Sequence, residues 1–202
     1  MGKLYSFLNS GSVLSLFLQV VPIALSAGAV YGVFRWAYVR KKKISVGKGR
    51  EIMRLLFVCY LTGLINLTLT PRNLWFNIWA FICTEHGGSR IELFGGSFNF
   101  VPVIFKIISG EMTAGSRVRT MLTGNLLMFV PMGFFLPFVS EKISGKNILK
   151  IAAIIPAAVE IVQPAVGRSF DVDDLILNFA GIVIIGFAFS AAVKTILKGR
   201  NP

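Results

Sequence analysis

The 202-residue chain is 54% hydrophobic and only 15% charged, with a mean hydropathy of +0.72 and a formal net charge of +12. A soluble domain carries about 25% charged residues and does not string apolar residues into such long runs, so a soluble globular enzyme is excluded. The positive charge does not indicate nucleic-acid binding either. Its densest run, Arg40-Lys41-Lys42-Lys43 with Lys48, Arg50 and Arg54, lies between two apolar segments, as in loops facing anionic lipid.

A membrane span needs about 20 apolar residues. The first is predicted over 13–36 and ends at the basic run. A cleavable leader is the rival reading, given Ser26, Ala27 and Gly28. However, the apolar stretch outlasts a leader's apolar region and the positive charge follows it, as in a retained stop-transfer helix. The second span is predicted over 52–69 and stops at Thr70-Pro71-Arg72. Cys59 inside it and Cys83 beyond it form no disulfide framework.

The segment 72–118 reads as a partly embedded lid. Trp75, Phe76 and Trp79 suit an interfacial aromatic belt, and Gly87-Gly88 and Gly95-Gly96 punctuate the chain. Arg90-Ile91-Glu92-Leu93 alternates as a short strand would, and residues 103–108 predict a short amphipathic helix on the membrane. Three further spans follow over 120–139, 148–163 and 175–193, the fourth containing Pro156. The fold class is therefore an all-α membrane protein of about five transmembrane helices, with an extracytoplasmic loop region between helices two and three. The 35–54 loop, the Lys142/Lys146/Lys150 loop and the tail bearing Lys194, Lys198 and Arg200 alternate to one side. The positive-inside rule makes that side cytoplasmic, with the N-terminus outside and the C-terminus cytoplasmic.

Acids are scarce, yet four of the nine, Glu160, Asp171, Asp173 and Asp174, fall in one stretch flanked by spans. Charges at the edge of hydrocarbon are expensive, which marks them as candidates for function. On this topology Arg72, Asn125, Glu160, Gln163, Arg168, the three aspartates and Asn178 all belong to the outer side, and Glu160 and Gln163 share a helical face. Glu160 is the candidate general acid/base, and Arg168 offers a planar fork for phosphate or carboxylate. The simpler readings stand beside these. Asp171 can cap the following helix, Asp174 can sit on its dipole, and Asn125 and Asn178 can be interhelical hydrogen-bonding groups. The aspartates lack the glycine and spacing of a calcium loop, and His86 is the sole histidine. No metal and no cofactor is expected.

Several segments resemble the VanZ-like family of bacterial membrane proteins. They are Thr68-Leu69-Thr70-Pro71-Arg72, Asn99-Phe100-Val101-Pro102, the run from Asn125 to Phe134, and Glu160-x-x-Gln163 followed by Gly167-Arg168-Ser169-Phe170-Asp171-Val172-Asp173-Asp174, Asn178 and Gly181. The family often has an aromatic residue after the glutamine, where this chain has Pro164-Ala165-Val166. The resemblance implies a single VanZ-like integral membrane domain over 1–202 in the bacterial cell membrane. It further implies reduced susceptibility to teicoplanin and related lipoglycopeptides, without supplying a reaction.

Two functions of different class follow. In the first, an outer-leaflet polar cavity recognises a lipid-linked cell-wall precursor or the antibiotic. Arg72, Asn125, Gln163, Arg168, Asp171, Asp173, Asp174 and Asn178 are then ligand-binding residues, and membrane lipids are partners. In the second, a membrane enzyme modifies a lipid or wall precursor with Glu160 as catalytic residue. A third, structural reading makes the whole cluster a lock on the fold.

Overall fold

A computed structural model describes residues 13–71, 74–84, 90–91, 93–113, 115–139 and 146–198. The elements in chain order are α1 (Val13–Lys42), α2 (Lys48–Leu69), α3 (Leu74–Thr84), β1 (Phe98–Asn99), α4 (Val103–Ile108), α5 (Ser116–Val139), α6 (Lys146–Val162), a 3₁₀ turn (Gln163–Val166), β2 (Phe170–Asp171) and α7 (Val172–Lys198). Five helical stretches are long and apolar enough to cross a membrane: Gln19–Lys42, Lys48–Leu69, Val118–Pro137, Asn147–Val166 and Val172–Phe189. The protein is thus a helical multi-span membrane protein, and among the described residues only β1 and β2 form sheet.

The chain divides into two compact units. The first comprises Met1–Ser97 and Val162–Arg168. In it α1 and α2 form a hairpin whose approach depends on small residues. A side chain at Gly28 would collide with Cys59, and one at Gly63 would lie 3.3 Å from Val20. Lys43 takes a left-handed conformation (φ 51°) to end α1, and the Ile44 amide bonds the Val39 carbonyl at 3.2 Å. That arrangement satisfies carbonyls that a helix end otherwise leaves orphaned. The hairpin leaves Val33 and Phe34 exposed. Such residues suit hydrocarbon, because every backbone group of a helix is already satisfied internally.

The second unit comprises Phe98–Ile161 and Ser169–Pro202. Here α5 and α7 pack backbone against backbone. Gly133 faces the Ile182 carbonyl, Gly181 faces the Leu126 carbonyl, and a Cβ at Gly186 would sit 2.9 Å from Ile148 of α6. Small residues at these crossings permit the close helix approach common in membranes. Phe129, Met132, Ile148, Pro156 and Ile182 are fully buried around this seam. Beside it β1 and β2 pair in parallel, Phe98 with Phe170 and Asn99 with Asp171. The rings of Phe98, Phe100 and Phe170 cluster at 5.3–6.0 Å between centroids.

Trp75, Phe76 and Trp79, read from sequence as an aromatic belt, fall in the helix α3. Of the alternation at 90–93, the described residues Arg90, Ile91 and Leu93 do not lie in a strand. The strand is Phe98–Asn99, which finds its partner 72 residues further on. The helix expected over 103–108 is present as α4.

Candidate functional site

In the first unit the 3₁₀ turn reverses the chain after α6 and delivers two polar side chains to the C-terminus of α2. Pro164 sits in the first turn, where its missing amide costs nothing. Gly167 closes the turn at φ 74°, a left-handed conformation that glycine adopts without strain. The Arg168 amide then bonds the Gln163 carbonyl at 2.9 Å. From this loop Gln163 Nε2 donates to the Thr68 carbonyl and Arg168 Nη1 to the Thr70 carbonyl, both at 3.3 Å. A helix C-terminus carries orphan carbonyls and partial negative charge, so a guanidinium is well placed there.

Arg168 also lines a recess of about 90 Å³ with Gln19, Asn66, Thr70, Pro71 and Trp75. Trp75 Nε1 donates to Asn66 Oδ1 at 3.1 Å, which fixes one wall. Gln19 is buried. Sequence reasoning missed Gln19 and Asn66, although an amide inside an apolar run was a signal available to it. Arg72, one of the expected ligand-binding residues, lies outside the described residues, as does His86.

In the second unit Glu160 is fully buried, and its Oε2 accepts the Asp171 amide at 3.0 Å. Asp171 Oδ1 accepts the Asp173 amide at 2.9 Å, so Asp171 is the N-cap of α7. Its other oxygen accepts from Asn99 Nδ2 at 3.0 Å, and Lys106 Nζ donates to Asn99 Oδ1 at 2.9 Å. Asp173, also buried, accepts the Val103 amide at the start of α4 at 2.8 Å. Asp174 accepts a hydrogen bond from Asn125 Nδ2 of α5. Asn178, one turn further along α7, is buried, and its Oδ1 has no hydrogen-bond partner among the described residues. A buried acceptor left unsatisfied costs about 1–3 kcal/mol, which keeps Asn178 a candidate for contact with a ligand or water.

This network shows what the acidic stretch does locally: its carboxylates hold amides at the start of α7 and α4. Asn99 and Lys106 belong to it and were not anticipated as site residues, although Asn99 stands in a quoted motif. Asp171→Ala should lower stability by about 1–2 kcal/mol through loss of the cap, whereas Asp171→Asn should recover most of it. Thermal unfolding of the purified protein reads both.

A family model described as VanZ/LLP1 matches residues 57–194. The chain belongs to the VanZ/LLP1 family. The matched region contains every described candidate residue from sequence, while Gln19 and the whole α1–α2 connection precede it. No curated protein and no solved structure matches this VanZ/LLP1 chain.

Proposed function

We propose that this VanZ/LLP1-family protein lowers susceptibility to teicoplanin or related lipoglycopeptides by recognising an anionic amphiphile of the outer leaflet at Arg168. The amphiphile is a lipid-linked cell-wall precursor or the antibiotic itself. The protein would lie in the bacterial cell membrane with its N-terminus outside, an orientation resting on its lysine and arginine distribution.

The observation that carries this reading is the recess shared by Arg168, Gln19, Asn66 and Thr70. Its volume of about 90 Å³ equals that of about three waters at about 30 Å³ each, which suits one phosphate or carboxylate group. Sugars, peptide and lipid tail would remain outside. A planar guanidinium matches such an anion through paired N–H groups. Recognition of this kind needs no bond to break. The competing enzyme, with Glu160 as general acid/base, draws less support, because Glu160 Oε2 already accepts the Asp171 amide.

Arg168→Ala should return teicoplanin susceptibility to that of cells lacking the protein, at unchanged membrane abundance. The expected loss of headgroup affinity is about 2 kcal/mol or more, roughly thirtyfold. Arg168→Lys should be intermediate, because lysine keeps the charge and loses the fork. Undiminished protection in Arg168→Ala cells would refute recognition at this residue. Mass spectrometry of lipids co-purifying with the unaltered protein identifies the amphiphile.

A further inference from the structure

A second polar feature lies at the other end of the α1–α2 hairpin. Residues 35–54 contain eight basic residues and one acid, Glu51. Arg35 grips Glu51 through two nitrogens at 2.7 and 2.9 Å, and Arg54 reaches the same carboxylate at 2.7 Å. Two cavities meet at these residues and share Arg35, Val46 and Glu51. One, of about 460 Å³, is lined by Arg35, Arg50 and Arg54. The other, of about 390 Å³, is lined by Tyr31, Gly32, Trp36, Ile52 and Leu55. Arg40 stacks over the Trp36 ring at 5.2 Å and leans along that wall. At Gly32 the groove is open, with nothing beyond its chain neighbours and its own helix backbone within 4 Å of where a Cβ would stand.

We infer that this hairpin end holds one anionic phospholipid, its phosphate among Arg35, Arg50 and Arg54 and an acyl chain along Gly32, Ile52 and Leu55. The case rests on complementarity of two kinds in one place. Three guanidiniums outnumber the single carboxylate in the polar cavity, so the pocket is cationic after Glu51 is neutralised. The adjoining cavity is apolar and is lined from two helices long and apolar enough to span a bilayer, beside which lipid tails would run. A soluble anion would use only the first half; a phospholipid uses both. Basic pockets between transmembrane helices are suited to anionic headgroups for this reason.

The test titrates the purified full chain in mild detergent with phosphatidylglycerol and with phosphatidylcholine, reading bound lipid by native mass spectrometry. Phosphatidylglycerol should be retained and phosphatidylcholine should not. Arg50→Gln leaves the Arg35–Glu51–Arg54 cluster in place and should weaken retention about fivefold, as expected for one phosphate-facing charge. Gly32→Trp alters no charge, fills the apolar cavity from an open position, and should abolish retention. Lys41→Gln/Lys42→Gln/Lys43→Gln removes three charges that do not line either cavity and should leave retention within twofold. Equal binding of the two lipids, full retention by Gly32→Trp, or displacement of the lipid by a tenfold excess of inorganic phosphate would each overturn the inference. So would a loss in the triple lysine variant matching that of Arg50→Gln.

Discussion

Glu160→Ala is expected to destabilise the second unit by about 3 kcal/mol, and Glu160→Gln by about 1 kcal/mol or less. Glu160 is fully buried, and its carboxylate accepts the Asp171 amide at the entry to α7. Alanine leaves that amide without its acceptor and opens a void where the side chain stood. Glutamine keeps a carbonyl oxygen at the same reach. For a chain of this length, 3 kcal/mol corresponds to about 6–12 °C in unfolding temperature, readable in detergent. The same pair of variants separates the two functional classes. A general acid/base needs an ionisable group, which glutamine lacks. If the protein protects against teicoplanin as proposed, protection that survives Glu160→Gln at normal abundance eliminates the enzyme. Protection lost in Glu160→Gln, with stability within 1 kcal/mol of the parent, would instead count against recognition at Arg168.

Gly96→Ala is expected to disrupt the Arg168 loop, and Gly95→Ala, one residue away, to be silent. A Cβ at Gly96 would overlap the Arg168 carbonyl oxygen and stand 2.8 Å from Pro164 Cα, whereas a Cβ at Gly95 meets nothing within 4 Å. The obstructing atoms are backbone, so no rotamer change relieves the clash. The turn must move, at a cost of about 2–3 kcal/mol by analogy with overpacked cores. Displacing it withdraws Arg168 from the Thr70 carbonyl and from the recess. The Gly96 variant should therefore reproduce the susceptibility of Arg168→Ala, while the Gly95 variant matches the parent. Equal behaviour of the two glycine variants would break the link between this turn and protection.

The five spans were legible because long apolar runs are a strong signal and a bilayer demands them. The cap at Asp171 was legible as well, since an acid just ahead of an apolar helix is a local pattern. The rest depends on distant partners. The two-residue strand Phe98–Asn99 is too short to show alternation, and it pairs with residues 72 positions away. Gln163 and Arg168 bond main-chain carbonyls of α2, and a carbonyl carries no side-chain identity from which to read the contact. Lys106 falls in the short helix expected over 103–108, but its contact depends on β1–β2 pairing, which sets Asn99 between it and Asp171. The recess at Arg168 needed Gln19, which stands well before the motifs that drew attention.

The bond from the Val103 amide to Asp173 has a mechanical meaning. It ties the first residue of α4 to the first turn of α7. On α4, Ile104, Phe105 and Ile108 are exposed, as a float lying in the headgroup region would require. The apolar stretch of α7 runs Val172–Phe189, about 27 Å at 1.5 Å per residue. A short helix at the membrane surface and a helix crossing the bilayer would thus be pinned together at one level. A thicker or thinner bilayer, which a lone helix answers by tilting, here loads the carboxylate joint between the two.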